Sequence, residues 1–384
     1  MSRATAVPIT GAVLKWAIRE SGFSEADIAA RLEVPIELVR EWEEETAHPT
    51  KTQFARLVGL LRRPSAIFFL PAPPEARLYA SFRRAPGREE APTSPDEARW
   101  IRAATRLQEA TALVLEQLGR PSVDLPNIGR DAGSEQIAQS ERQRLDVPVR
   151  VQAGWPTVST ALKEWRAVLE GQGVLVFQLR LGRNSCRGFS LWDDRAPLIA
   201  VNTSFNFQAR IYTLFHEYAH LLTRTNSVCV GFPEFLTGTS GDFWERWCEE
   251  FSASFLLPQT DFLDHLRRVH PDGHVTEFEV VSRLASRFRV SLRAVALRLV
   301  ELGQADFDLY TEVDRRAKVS EQERRGGRGR PLSRHQRRLE EFGHRLPSVL
   351  LEGAQRNIID THNILEYLDL SIANLDDLRK TLVG

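Results

Sequence analysis

The stretch IYTLFHEYAHLL, residues 211–222, carries His216-Glu217-Tyr218-Ala219-His220 inside an otherwise apolar run. On a helix, residues four apart lie on one face. Two imidazoles at that spacing can share one metal ion, while the glutamate between them reaches a metal-bound water. The bland alternative is a helix with two surface histidines, so the surrounding sequence has to decide.

A tetrahedral catalytic zinc takes three protein ligands and a water, so a third donor should follow. The candidates downstream are Asp242, Glu245, Glu249, Glu250, His265 and His270. Residues 243–257, FWERWCEEFSASFLL, repeat Trp244, Cys248, Phe251 and Phe255 at helical spacing, which predicts one buried stripe. Glu245 and Glu249 flank that stripe one turn apart, whereas Glu250 falls farther round, beside Arg246 and solvent. Glu245 is therefore assigned as the third ligand and Glu217 as the catalytic base. Glu249 is placed as the carboxylate that accepts the other ring N–H of a ligand histidine. Against this stands the reading of a merely solvated acidic face.

RGFSLWD (187–193), APLIAVN (196–202), ARIYTLFHEYAHLL (209–222) and ERWCEEFSASFLLP (245–258) together resemble the ImmA/IrrE metallopeptidase family. That family is similar to the gluzincins, with two histidines of H-E-x-x-H and a downstream glutamate as zinc ligands. Its second helix typically reads E-x-x-A-[ND]-x-F-A-x-x-L-L-x-P, and Glu245, Phe251 and Pro258 fall in step with it. Cys248 stands where a small residue is usual, and Glu249 where Asp or Asn is usual.

The chemistry follows from the residues themselves. Zinc lowers the pKa of its bound water to about 7, and Glu217 can take the proton as that water attacks a polarised peptide carbonyl. Residues 187–202 read as a hairpin turning at Asp193–Ala196, whose strands are expected to offer an edge to an extended substrate. Tyr212 and Tyr218, being in an apolar helix, read as core.

Fifty-one basic and fifty-one acidic residues cancel over 384 positions, so no global field draws the chain to nucleic acid or anionic lipid. Hydrophobic residues make up 42%, ordinary for a soluble globular protein, and the length suits two or three domains. Cys186, Cys229 and Cys248 form no paired pattern, which suits a reducing compartment. The first residues lack the apolar core of a secretory signal, and no run approaches a membrane span. A cytoplasmic protein without membrane contact is expected.

Residues 1–72 carry a separate signal. An amphipathic stretch from Gly11 to Glu20 turns Leu14, Ala17 and Ile18 inward. Ser24 is an N-cap, with Asp27 completing a capping box for SEADIAARL. A tight turn at Glu33-Val34 leads into PIELVREWEEE, with Pro35 in its first turn. With TKTQFARLVGLL and SAIFFLP, this resembles a Cro/repressor-type (XRE) helix-turn-helix domain, of a kind found fused ahead of ImmA/IrrE peptidases. Its recognition helix offers Glu37, Glu41 and Glu43 to Glu45, leaving Arg40 and Lys51 as the candidate DNA contacts. Residues 1–70 hold nine basic and nine acidic side chains, so counterion release has little to work with. The competing role is docking, to a partner or to the peptidase core.

Residues 73–150 read as a connector, including LYASFRR at 78–84, followed by helices at 94–119 and 135–145. Residues 151–260 form the peptidase core, with a helix over 158–171, a strand over 174–179, the hairpin and the active-site helix. Residues 261–317 include a second helix-turn-helix-like pair over 277–303, whose Arg283, Arg287, Arg289, Arg293 and Arg298 keep nucleic acid in view. KVSEQERRGGRGRP (318–331) is a Gly/Arg linker in a locally basic stretch, and 332–384 a small helical unit. His335 and His362 have no partner at ligand spacing. The fold class expected is mainly α, α+β: a helix-turn-helix bundle, a zincin-like core with a small twisted sheet, and a helical C-terminal region.

Two functions compete. In the first, the chain is a zinc endopeptidase; the resemblance implies a repressor or antitoxin of Cro/repressor type as substrate, cut in a stress, mobile-element or toxin-antitoxin response. In the second, it is a DNA-binding transcription regulator or antitoxin whose metal site is structural or vestigial. Glu217 favours the first, because a structural site closes with four ligands and has no use for a base.

Overall fold

The computed structural model describes residues 6–74, 94–225, 227–229, 243–271, 273–323 and 332–383. Asp242, the segment 78–84 and most of the Gly/Arg linker fall outside them, as does the Cys229 side chain. The fold is mainly helical with one small sheet, an α+β architecture as expected, and the chain divides into two compact units.

The first unit comprises Met1–Ser81 and Glu90–Thr105. It contains α1 (Gly11–Ser21), α2 (Glu25–Leu32), α3 (Ile36–Glu43), α4 (Lys51–Leu61) and a 3-10 turn, Ser65–Phe69. Ser24 and Asp27 form the expected capping box on α2, and Thr50 and Gln53 form another on α4. Glu33 takes a left-handed conformation (φ 60°) that ends α2, and Pro35 caps α3 rather than entering its first turn. Leu14, Ile28, Leu32, Val39, Trp42, Leu57 and Phe68 fill one core, with Trp16 and Ile18 beside them. Gly11 allows α1 to meet the end of α3: its N–H donates to Glu45 Oε1 (2.7 Å), and a Cβ there would lie 2.1 Å from the Glu43 carbonyl oxygen.

Helix α5 (Pro95–Gln117) starts on a Ser94 cap, whose Oγ accepts from the Glu97 N–H (3.2 Å). The second unit holds Arg106–Gly384. Its order is α6 (Ser134–Arg144), α7 (Val149–Gly154), α8 (Val158–Gly171), β1 (Leu175–Leu179), β2 (Gly188–Leu191), β3 (Leu198–Asn202), α9 (Phe207–Leu222), β4 (Ser227–Cys229) and α10 (Phe243–Leu256). There follow α11 (Gln259–Val269), α12 (Phe278–Phe288), α13 (Leu292–Glu301), α14 (Phe307–Glu323), α15 (Arg334–Phe342), α16 (Arg345–Gln355), α17 (Thr361–Leu368) and α18 (Ile372–Val383).

The strands are ordered β1-β3-β2-β4, with β1 parallel to β3 and the other pairs antiparallel. The predicted hairpin is present, and Asp193 Oδ1 accepts from the Arg195 and Ala196 N–H groups (2.8 Å each) to close its turn. Neither hairpin strand is the edge. Strand β4 pairs with β2 through Ser227–Cys229 and takes the outer position, because the chain returns to the sheet directly after α9.

Helix α9 is buried all round from Ile211 to Leu222, as suits a helix packed on the sheet, α8 and α10 at once. Phe215 stacks on Phe255 of α10 (4.2 Å), Phe255 on Phe251 (5.8 Å), and Phe251 on Trp247 (5.4 Å). The buried stripe of α10 therefore runs through Trp247, Cys248, Phe251 and Phe255, while Trp244 is only half-buried. Trp247 replaces Trp244 because its indole N–H finds the Ala132 carbonyl (2.8 Å), satisfying the one polar atom that burial would strand.

Helices α12 and α13 join this same core through Val281, Leu284, Phe288, Val295 and Leu299. Three of their five arginines are engaged internally: Arg289 with the Trp155 carbonyl (2.7 Å), Arg293 with Asp314 (2.7 Å), and buried Arg298 with Glu135 (2.5 Å). Arg283 and Arg287 remain exposed, which leaves little of the basic face once considered for nucleic acid. No helix among the described residues is long and apolar enough to cross a membrane.

Candidate metal centre

Asn206 Oδ1 accepts from the Ala209 N–H (2.8 Å) and starts α9, setting its rotation. His216 and His220 then lie one turn apart, each 2% exposed, with their Nε2 atoms 3.1 Å apart. Glu245, in the first turn of α10, places Oε2 3.3 Å from His216 Nε2 and Oε1 3.4 Å from His220 Nε2. Burial works to raise the Glu245 pKa, but His220 and His216 outweigh it and hold this carboxyl well below the usual range.

These separations test the fit to a metal. Four donors arranged tetrahedrally at about 2.0–2.1 Å from a zinc ion stand about 3.3 Å from one another. The pairs His216 Nε2–His220 Nε2 (3.1 Å), His216 Nε2–Glu245 Oε2 (3.3 Å) and His220 Nε2–Glu245 Oε1 (3.4 Å) match that spacing, with the carboxylate turning one oxygen toward each histidine. Two buried imidazoles and a largely buried carboxylate drawn together in an apolar helix pair would be costly without a shared partner. Among the described residues this trio is the one group of three such side chains placed to hold a metal ion.

Glu217 is fully buried on the adjacent face of α9, against β2. Gly188 makes this approach possible: a Cβ there would lie 2.5 Å from Thr213 Cγ2, 2.7 Å from the Ala200 carbonyl oxygen and 3.3 Å from Glu217 Cγ.

The other candidates lie elsewhere. Glu250 is half-buried and accepts from Ser134 Oγ (2.9 Å), so it faces α6 rather than solvent. His265 packs its ring on Phe288, and His270 Nε2 lies 3.1 Å from the His274 carbonyl oxygen. The Glu249 carbonyl accepts from the Tyr212 hydroxyl (3.2 Å). Tyr218 is core, as its setting implied: its hydroxyl donates to Glu141 (2.6 Å) and accepts from Arg144 (2.6 Å). Burial, then the Glu141 charge, pushes its pKa well up, which keeps the phenol protonated.

The residue that sequence reasoning missed is Thr225. Its Oγ1 lies 2.8 Å from His220 Nδ1, on the side of the ring away from Glu245. A threonine five residues beyond the second histidine carries no periodic signal, because the turn that returns it is set by the backbone.

In the first unit, Arg40 Nε donates to Glu25 Oε2 (2.8 Å), so one of the two candidate DNA contacts is already paired. Lys51 is exposed at the start of α4.

The His216, His220 and Glu245 group, with Glu217 beside it, is a donor set suited to a metal ion. Residues 169–300 match the family model of the IrrE N-terminal-like domain, Peptidase_M78. The match spans α9, α10 and the whole sheet, about a third of the chain, and supports a metallopeptidase-like protein of the ImmA/IrrE kind. A comparison with curated proteins finds no match.

Proposed function

We propose that the chain is a zinc-dependent endopeptidase acting on a regulatory protein, a repressor or antitoxin of Cro/repressor type. Its cut would relieve repression in a stress, mobile-element or toxin-antitoxin response. The observation that carries this reading is the convergence of His216 Nε2 and His220 Nε2, 3.1 Å apart, with a Glu245 carboxylate whose oxygens lie 3.3 Å from the first and 3.4 Å from the second, and with Glu217 on the next face. His216, His220 and Glu245 would hold the zinc. The chemistry zinc would supply there is polarisation of the scissile carbonyl and a bound water with its pKa lowered to about 7. Glu217 takes the proton from the attacking water and returns it to the leaving amine. The dry surroundings of these side chains strengthen each electrostatic contact they make.

The N-terminal helices serve this reading as a docking module for the substrate. The acidic side chains of α3 and the balanced charge over residues 1–70 favour a protein partner over DNA, as does the pairing of Arg40 with Glu25. Substitution Glu217→Gln tests the assignment. The variant should retain zinc and lose cleavage by about 10²- to 10⁴-fold, the usual contribution of a general base. Equal cleavage by both proteins would remove Glu217 from the mechanism.

A further inference from the structure

Helix α9 ends in a turn that folds the chain back onto its own histidine. The Thr225 N–H donates to the His220 carbonyl (2.9 Å) and the Arg224 N–H to that of Leu221 (3.3 Å), the two bonds of a Schellman motif. Arg224 supplies the left-handed residue (φ 55°), a conformation unfavourable for a residue other than glycine. Its guanidinium is fastened by the carbonyls of Leu221 (2.6 Å) and Leu125 (2.7 Å), and it lies over the Trp192 ring (3.4 Å). The consequence is local: Thr225 Oγ1 arrives 2.8 Å from His220 Nδ1.

The direction of each bond can be deduced. Thr223 Oγ1 is 3.2 Å from the carbonyls of both Ala219 and His220, which can only accept, so the Thr223 proton points to them. Thr223 Oγ1 then accepts from the Thr225 hydroxyl across 2.8 Å. With its own proton committed, Thr225 Oγ1 accepts from His220 Nδ1–H. The chain of donors runs from imidazole to threonine to threonine to backbone, and it leaves the lone pair of His220 on Nε2, toward His216 and Glu245.

We propose that Thr225, oriented by Thr223, is a positioning residue that fixes His220 in its Nδ1–H tautomer and so presents Nε2 to the metal. This rests on the zinc-site reading above. The competing role is plain helix capping, in which the hydroxyls stabilise the turn and do nothing for the metal.

Chelator competition for zinc on the full chain separates these roles, with thermal melting followed in parallel. Thr225→Val, which keeps the shape and removes the hydroxyl, should weaken zinc binding about 10- to 100-fold, the usual effect of losing such a support. Thr225→Ser should restore affinity. Thr223→Val should give a smaller loss, and the double valine variant no more than Thr225→Val alone, since both act through one chain of hydrogen bonds. Selective ¹⁵N NMR of the zinc-loaded protein should show a slowly exchanging His220 Nδ1–H that exchanges fast in Thr225→Val. Zinc affinity unchanged in Thr225→Val, or equally weak in Thr225→Ser, overturns the proposal. A wild-type protein that binds no zinc overturns the zinc-site reading instead. If Thr225→Val melts early, Thr223→Val decides: unchanged affinity and unchanged Nδ1–H exchange contradict the relay.

Discussion

Gly188 and Glu217 touch across the seam between β2 and α9, so closely that a Cβ on the glycine would stand 3.3 Å from the glutamate Cγ. Thr213 Cγ2 at 2.5 Å and Glu217 Cγ lie on the helix, so any larger residue must push it off the sheet, and the Ala200 carbonyl at 2.7 Å leaves no room within the sheet itself. Gly188→Ala should destabilise the fold by about 1–3 kcal/mol. It should also lower cleavage more than zinc affinity, because Glu217 moves while the ligand histidines stay on α9. Denaturant melts and a zinc titration check this, and a variant that is both fully stable and fully active would contradict it.

The aromatic stack behind the centre sets the distance between α9 and α10. Phe255 packs on Phe215 at 4.2 Å and on Phe251 at 5.8 Å, all fully buried. Phe255→Ala should cost about 3–5 kcal/mol in urea unfolding. Since Glu245 reaches the histidines only through this helix pairing, zinc affinity should fall as well, although residue 255 touches none of the three ligands.

Tyr218 lies inside the His216–His220 motif and yet serves the fold. Its hydroxyl bridges Glu141 and Arg144, which are also paired with each other at 2.8 Å. Tyr218→Phe leaves the buried Glu141 short of a donor and should destabilise by about 1–3 kcal/mol. Zinc content and cleavage at a temperature where the variant is folded should match wild type. A selective loss of turnover would place the phenol in the chemistry.

Duplex DNA titrated with the full chain at increasing salt should show weak binding with a shallow dependence. With Arg40 held by Glu25 and nine acidic side chains matching the nine basic ones over residues 1–70, little counterion release is available, and a log–log slope shallower than about −2 is expected. A slope as steep as that of a repressor would instead make DNA a partner.

The local structure of the centre was legible because its signals are periodic. The spacing of His216 and His220, the stripe of Cys248, Phe251 and Phe255, and the Ser24 and Ser94 caps all state helices and their faces directly. Glu245 was legible for the same reason, being fixed by the helix face that Phe251 and Phe255 bury. What the pattern did not carry are contacts between elements distant in sequence. Trp247, more buried than Trp244, bonds the Ala132 carbonyl, and Glu250 meets Ser134 across more than a hundred residues. Thr225 was hidden by a different cause, a left-handed Arg224 that no glycine announces and that side-chain bonds hold in place.

The zinc content of the freshly purified protein, measured beside that of Glu245→Ala, tests the central claim most directly. One zinc per wild-type chain, lost in the variant, is the predicted result. Wild-type protein without zinc, or a variant that retains it in full, would contradict the assignment of His216, His220 and Glu245 as a catalytic metal site.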